Sequence, residues 1–436
     1  MQINGQRDEP IPGRDRWSEQ RAEDALRSLE LFGMRFGLDR MRRMMTALGS
    51  PERAFPTIQV LGTNGKSSTT RMAAAILQRH GLRTGAYTSP HLVAYRERVM
   101  IEERELSPAE FSAAVARADR AARQVNRTLQ EDDHVTQFEL LTAAALWEMA
   151  RRGVEVGVVE AGLGGRYDAT SVVAPEVAVL TNVGLEHTRW LGPTIADIAE
   201  EKLAVVQPGA TLVLGEGLAP PALAVAERVA SERGAEIVFP EPLPDRIELR
   251  SRGTFQRRNL ALAAAAAAAH LRRSGRVLDE EALRDAAAAV EVPGRLQALA
   301  GEPPTVLDGA HNPDAVAALV ESLPEAFDTA PALVLGVLED KDAAGMLRLL
   351  LPHCRRAWFT APPGPRALPP AALLSQARQL GFEDTVCEPR GARAFAAARE
   401  WALEHGTGVL VTGSVYLIGE LLADTRAGEL AEGRAR

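Results

Sequence analysis

The stretch TIQVLGTNGKSST, residues 57–69, decides the fold. A short apolar run enters a turn of glycines, a lysine and hydroxyls, and a helical pattern, RMAAAILQRHG, leaves it. A strand that passes through such a turn into a helix makes a phosphate cradle. Glycines let backbone N–H groups curl around oxygens, and the helix N-terminus adds positive potential. Gly62, Thr63, Asn64, Gly65, Lys66, Ser67 and Ser68 are therefore the candidates for nucleotide phosphates. Lys66 has the reach for the outer phosphates, and Ser67 or Ser68 for a bound Mg²⁺. The leading glycine of the general pattern would fall at Val60, so that pattern is met in part; a glycine turn without a ligand is the alternative.

The rest of the chain repeats the strand-to-helix alternation. Residues 17–49 read as helical with a turn around Phe36-Gly37, and Ser-Pro at 107–108 opens a helix over 107–127, proline being at home in the first turn. A further helix is expected over 138–150. VEVGVVEAG (154–162), VAVLTNVG (177–184) and TLVLG (211–215) are β-branched apolar runs, each the pattern of a strand buried on both faces of a parallel sheet. After a break at VPGRLQ (292–297) a second series begins: TVLDG, ALVLGV, RAWFT, DTVCE and GVLVTGS. Two α/β domains are expected, 17–295 and 296–436, behind a disordered tail at 1–16. Both should carry parallel sheets with helices on the two faces, and ligands at the carboxyl ends of the strands.

Composition narrows the function. The formal net charge is -8, which argues against a broad nucleic-acid surface. No run of eighteen apolar residues occurs, so no membrane span is expected, and the polar N-terminus lacks the apolar core of a signal peptide. The two cysteines, Cys354 and Cys387, have no metal-ligand spacing and fit a reducing cytoplasm. Lys and Arg together number 50, yet only Lys66, Lys202 and Lys341 are lysines. Where arginine serves as the general cation, a retained lysine marks a place for a compact amine that can lose its proton.

Further motifs follow predicted strands. TSPHL (88–92) is a turn with a hydroxyl at Ser89. In VVEAGLGGRYDAT (158–170) a carboxylate, Glu160, ends a strand and meets a glycine loop, a placement suited to a metal beside phosphates. The glycine spacing there does not match a dinucleotide fingerprint, so NAD is rejected. TNVGLEHTRWLG (181–192) carries His187 between Glu186 and Trp190. Lys202, in AEEKLAVVQPG, follows two glutamates on a helical pattern; by itself that reads as an exposed ion pair.

Taken in order, GTNGKSS, TSPHL, EAGLGGRYDAT, LEHTRWLG, EEK, PGRLQ and DGAHNP resemble the folylpolyglutamate synthase/dihydrofolate synthase family of the Mur ligase superfamily. The resemblance runs from about residue 22 to GSVYLIGE near the C-terminus. It implies an N-terminal P-loop ATPase domain of the Mur-ligase central type and a smaller Rossmann-like C-terminal α/β domain. It also implies a reaction: ATP phosphorylates a carboxylate, and the amine of L-glutamate attacks the acyl phosphate. The acceptors would be dihydropteroate, reduced folates or both, with a cytoplasmic, monomeric enzyme acting free of nucleic acid and membrane. By the family pattern Ser89, Glu160 and His187 map to ligands of Mg²⁺, two ions in all, with Mn²⁺ a substitute given the histidine. Lys202 matches a lysine carbamylated by CO₂. Asn259, Arg295 and Asp308 map to ATP contacts. Thr136, Gln137 and Phe138 align with a pterin-side segment. Arg166, Asp168, His311 and Lys341 fall in segments facing the pterin or glutamate. Gln137 stands where some bifunctional members have an aromatic residue, and Ser67 stands where the family usually has glycine.

Two rivals stand beside this reading. A peptidoglycan Mur ligase would need a nucleotide-sugar domain before the P-loop, for which 61 residues give no room. A P-loop kinase, or an ATPase or binding protein without ligase activity, would need neither DGAHNP nor a lysine open to carbamylation.

Overall fold

The computed structural model describes residues 17–29 and 37–434. The tail expected at 1–16 lies outside the described residues. The N-terminal helical region is two helices, Glu19–Ser28 and Asp39–Leu48, with the expected turn at Phe36-Gly37 falling between them, Phe36 itself outside the described residues.

The first sheet contains β1 (Thr57–Leu61), β2 (Thr84–Tyr87), β3 (Val99–Ile101), β4 (Arg104–Glu105), β5 (Val156–Glu160), β6 (Val177–Leu180), β7 (Thr211–Leu214) and β8 (Glu236–Val238). Its order is β4-β3-β2-β5-β1-β6-β7-β8. β1 lies between β5 and β6, parallel to both, and Val60 is level with Glu160 on one side and Val179 on the other. All three strands are buried along their whole length, as their largely apolar runs require, with Gln59 of β1 and Glu160 of β5 buried among them. That register brings the loops after β1, β5 and β6 to one edge. The helix Lys66–Arg79 packs on the helix Thr254–Arg273. Alanines 73–75 of the first and alanines 263, 264, 266 and 267 of the second share a core, small side chains letting the axes come close.

The second sheet contains β9 (Gln297–Leu299), β10 (Thr305–Leu307), β11 (Ala332–Leu335), β12 (Arg356–Ala361), β13 (Thr385–Arg390) and β14 (Val409–Thr412), in the order β13-β12-β11-β14-β10-β9. Both sheets depart from the all-parallel expectation. β3 runs antiparallel to β2 and β4 to β3, while β9 runs antiparallel to β10. The cause is local. Glu102 and Glu103 both have positive φ, the twist of a tight hairpin turn, and strands of two or three residues are too short to show an alternating pattern. Among the described residues no helix is long and apolar enough to cross a membrane.

Candidate active site

The phosphate loop is shaped by close approach. Gly62 has φ +145°, and a Cβ there would run into Thr181 Oγ1. Gly65, at φ +79°, is the N-cap of the helix Lys66–Arg79 and supplies no side-chain cap, which leaves the helix N-terminus to a ligand. Thr181 Oγ1 donates to the Asn64 carbonyl at 2.6 Å, and Asn182 Oδ1 accepts from the N–H groups of Thr63 and Asn64. Lys66 Nζ donates to the Thr63 carbonyl at 3.0 Å. The β6 end thus braces the β1 loop.

Glu160 ends β5 beside this loop. Its two carboxylate oxygens accept from Ser67 Oγ and from the Ser89 N–H, both at 3.0 Å. Burial raises its pKa, with the charge of Lys66 pulling the other way. A buried carboxylate flanked by two serines is a set of hard oxygen donors, the type Mg²⁺ or Mn²⁺ prefers. Among the described residues no three His, Cys, Asp or Glu side chains gather as a metal site. The donors fit a cation that keeps waters and phosphate oxygens in its shell, rather than an all-protein cage.

Lys202 is buried, not an exposed ion pair. The helix Ile195–Leu203 turns it inward, and its Nζ donates to the Gly62 carbonyl at 2.9 Å. Burial, with Lys66 adding to it, pushes the amine down to about 7. His187 follows β6 in a left-handed conformation, φ 54°, as N-cap of the short helix Thr188–Leu191. Burial lowers its imidazole to about 4, which keeps the ring neutral and its nitrogens available.

The second domain meets this edge directly. Asn312, N-cap of the helix Pro313–Ser322, pairs with Asn64 through two amide hydrogen bonds of 3.0 and 3.2 Å. Lys341 Nζ donates to Glu186 Oε1 at 2.7 Å, and His311 Nε2 lies 3.3 Å from the same oxygen. Burial alone would raise Glu186, but His311 and Lys341 outweigh it and hold the carboxyl well below the usual range. Asp308, after β10, accepts the N–H groups of Leu296 and Ala310, one on each oxygen. It therefore does cap a strand end, and it also lines the cleft. Arg295, at the junction, lines the cleft as well, and its charge acts on both Glu160 and Asp308.

Two cavities result. The first, about 490 Å³, is walled by residues 62–68, Glu160, His187, Lys202, Asn259, Arg295 and Asp308. Its apolar end is Pro240, Pro242, Leu243 and Phe255, in a segment that Arg257 holds by hydrogen bonds to the carbonyls of Leu243, Pro244 and Ile247. The second, about 470 Å³, is walled by Thr136, Gln137, Phe138, Asp168 and Lys341. Both sizes are those of small-molecule sites, roughly 300–1,000 Å³. Ser89, His187 and His311 line both, so the cavities share a wall there.

In the second cavity, several predicted residues are held by their own bonds. Thr136 caps the helix Gln137–Arg151, in a capping box with Glu139. Gln137 Nε2 donates to the Leu26 carbonyl and to Tyr95 Oη. Phe138 lies against Gly162, where a Cβ would meet its ring, and 6.1 Å from the Tyr87 ring. The buried Arg40 grips Glu139 through Nε and Asp133 through Nη1. Asp168 accepts from the N–H groups of Leu163 and Thr170.

Residues 60–214 match the Mur ligase middle domain, and residues 294–415 match the Mur ligase glutamate ligase domain. The chain is 35% identical over 404 residues to the folylpolyglutamate synthase of Lacticaseibacillus casei, covering 86% of this chain and 92% of that protein. The chain belongs to the folylpolyglutamate synthase/dihydrofolate synthase family. It is also 35% identical over 398 residues to the dihydrofolate synthase/folylpolyglutamate synthase of Escherichia coli K12, covering 88% of this chain and 90% of that one. Among solved structures, the Mycobacterium tuberculosis folylpolyglutamate synthase complexed with ADP superposes with a TM-score of 0.85 at 32% identity, over 92% of this chain and 98% of that one. Escherichia coli FolC in complex with DHPP and ADP gives 0.79 at 30% identity, over 94% and 98%. The Yersinia pestis bifunctional synthase complexed with AMPPNP and Mn ion gives 0.80 at 29%, over 94% and 98%.

Nearly all the site residues expected of such a synthase come together. Arg166 is the exception: it lines neither cavity, and its half-exposed guanidinium pairs with Glu201 at 2.8 Å. Sequence reasoning passed over four contributors. Thr181 and Asn182 had a signal, since polar residues closing a buried strand face a ligand edge. Glu186 and Asn312 had only their position beside a candidate histidine or inside DGAHNP.

Proposed function

We propose that this chain is an ATP-dependent ligase that joins L-glutamate to dihydropteroate, to the γ-carboxylate of reduced folates, or to both. The observation that carries the reading is the shared wall at Ser89, His187 and His311, where a phosphate cavity and a second ligand cavity meet. An acceptor carboxylate in the second cavity can reach a terminal phosphate in the first. Its oxygen bonds to the γ-phosphorus as the bond to ADP breaks. The glutamate amine then attacks the acyl carbonyl, loses a proton, and phosphate leaves.

Such transfers depend on positioning and charge neutralisation. Residues 62–68 hold the phosphates, with Lys66 the cation on the outer ones. Asn259, whose carboxamide abuts Gly65, and Arg295 and Asp308 at the junction complete the ATP site. The apolar end near Phe255 suits the base. Ser89, Glu160 and His187 would hold a divalent cation, Mg²⁺ or Mn²⁺. When bound, it neutralises phosphate charge. Thr136, Gln137, Phe138 and Asp168 face the pterin, and His311 and Lys341 the glutamate side.

Lys202 is the candidate for a carbamate. A neutral amine adds CO₂ and releases a proton, and the buried environment of Lys202 makes the neutral form readily accessible near pH 7. The carbamate nitrogen keeps one N–H for the Gly62 carbonyl, and the new oxygens supply negative charge for a second cation. The boundary this reading uses is 17–295 and 296–436, with a cytoplasmic monomer as the working form. One buried and one exposed cysteine, both free, are in keeping with a reducing compartment.

The test is direct. Purified protein receives Mg-ATP and L-glutamate, with dihydropteroate in one tube and tetrahydrofolate in another, and products are weighed by mass spectrometry. A gain of one glutamate in either tube is expected, and a gain in both makes the enzyme bifunctional. No gain in either, with ATP still consumed, overturns the acceptor and restores a P-loop ATPase or kinase.

A further inference from the structure

Glu186 has no part in the scheme above, yet two side chains of the other domain converge on its carboxylate. It lies in the loop after β6, one residue before His187, and its side chain is about one-tenth exposed. Both of its partners come from the other domain. Lys341 follows β11 and donates to Oε1 at 2.7 Å, and His311 follows β10 with Nε2 at 3.3 Å from the same oxygen. A second, uncharged contact ties the domains close by, where the Asn64 and Asn312 amides pair. The charged and the neutral contact thus clamp the same edge, one at the His187 loop and one at the phosphate loop.

We propose that Glu186 is a positioning residue that docks the second domain through Lys341 and His311, and so sets the distance across which the two cavities exchange reactants. The inference rests on reading the cleft as a ligase site. Lys341 and His311 both line the second cavity, and His311 lines the first as well. Their placement depends on Glu186 because the pair with Lys341 is nearly buried, where Coulomb attraction is little screened and a lost partner leaves a desolvated charge. The amide pair alone offers no such charge. Glu186 also lines the first cavity, where E186Q keeps its bulk; without its charge Lys341 loses its anchor and the domains part more readily.

The experiment compares wild type with E186Q, K341M and the double variant. E186Q keeps the shape and one acceptor but removes the charge. Three quantities are read: nucleotide Kd by calorimetry, kcat/KM for L-glutamate, and the small-angle scattering radius with and without nucleotide. The expected result is kcat/KM for glutamate lower by about tenfold or more in each single variant, with nucleotide Kd weakened by less than that, since the phosphate loop stays intact while Asp308 and His311 move with the second domain. The double variant should be no worse than the poorer single, since the pair acts as one unit. The variants should also scatter as a larger particle than wild type. Wild-type kinetics in E186Q, or independent losses in the double variant with unchanged scattering, would overturn the proposal. If wild type itself ligates no glutamate, the reaction assignment fails while scattering still judges Glu186: an unchanged radius rejects the docking role, and an enlarged one retains it.

Discussion

The Lys202 amine and the Gly62 carbonyl, 140 positions apart in the chain, meet at 2.9 Å beneath the phosphate loop. A buried cation is costly unless it is paired, and among the described residues the hydrogen-bond partner of this amine is a neutral carbonyl. Lys202→Ala is expected to lose most ligase activity and to regain part of it with short carboxylic acids that replace a carbamate. Activity close to wild type in the variant would remove the carbamate from the mechanism.

The same environment sets a pH dependence. The folded amine sits at about 7, against about 10.4 for an unfolded lysine. Between those values the unfolded chain holds more protons, so stability should rise with pH across that window. Urea denaturation of metal-free protein in CO₂-depleted buffer at pH 7 and pH 9 measures it. Lys202→Met should flatten the rise, and an equal rise in both proteins would assign it to other groups.

Lys66→Ala should abolish acyl phosphate formation while leaving the fold intact, because the side chain's hydrogen bond is to its own loop at Thr63. The check is ADP release with acceptor present and glutamate withheld. Undiminished ADP release would take the loop out of phosphoryl transfer.

Glu160→Gln removes the buried anion but keeps one acceptor, its amide oxygen for the Ser89 N–H, while its NH₂ can donate to the Ser67 hydroxyl. Calorimetric titration with Mn²⁺ in the presence of ADP should show affinity reduced by about tenfold or more, as loss of a ligating or supporting group commonly gives. Unchanged Mn²⁺ affinity would place the cation elsewhere.

Phe138→Ala empties one wall of the second cavity. The KM for the pterin acceptor should rise about tenfold or more while the KM for ATP stays near wild type, the loss of an aromatic contact being worth about 1–3 kcal/mol. Equal changes in both would mean the variant disturbs the fold rather than the subsite.

Arg40→Met leaves Glu139 buried without its guanidinium. Removing one partner of a buried pair costs about 3–5 kcal/mol. A chemical denaturation curve should show a loss on that scale. A shift under about 1 kcal/mol would mean that Glu139 is adequately satisfied by the Thr136 N–H alone.

The parts of this molecule that were legible in the sequence were those written locally. β1, β5 and β6 announce themselves as largely apolar, β-branched runs, and the glycines after them mark the ligand edge. The burial of Lys202 was not legible, because two preceding glutamates suggest an exposed pair and the carbonyl that receives it lies far away in the chain. Arg166 shows the opposite error. It falls within a glycine loop whose neighbours do face the cleft, but its own side chain turns to Glu201. Glu186 and Asn312 could not be read because their partners belong to the other domain. The antiparallel edges escaped because two- and three-residue strands carry no period.

The scarcity of lysine has a practical consequence. All three side-chain amines of the chain, Lys66, Lys202 and Lys341, line the two cavities. Apart from the α-amino group, an amine-directed acylating reagent has nowhere else on this protein to react. Labelling stoichiometry therefore reports the cleft without any engineered tag. A lysine-specific protease cuts the unfolded chain only at these positions, so each fragment junction carries one of the three amines. Protection of one junction by nucleotide and of another by a pterin would map occupancy from a single digest.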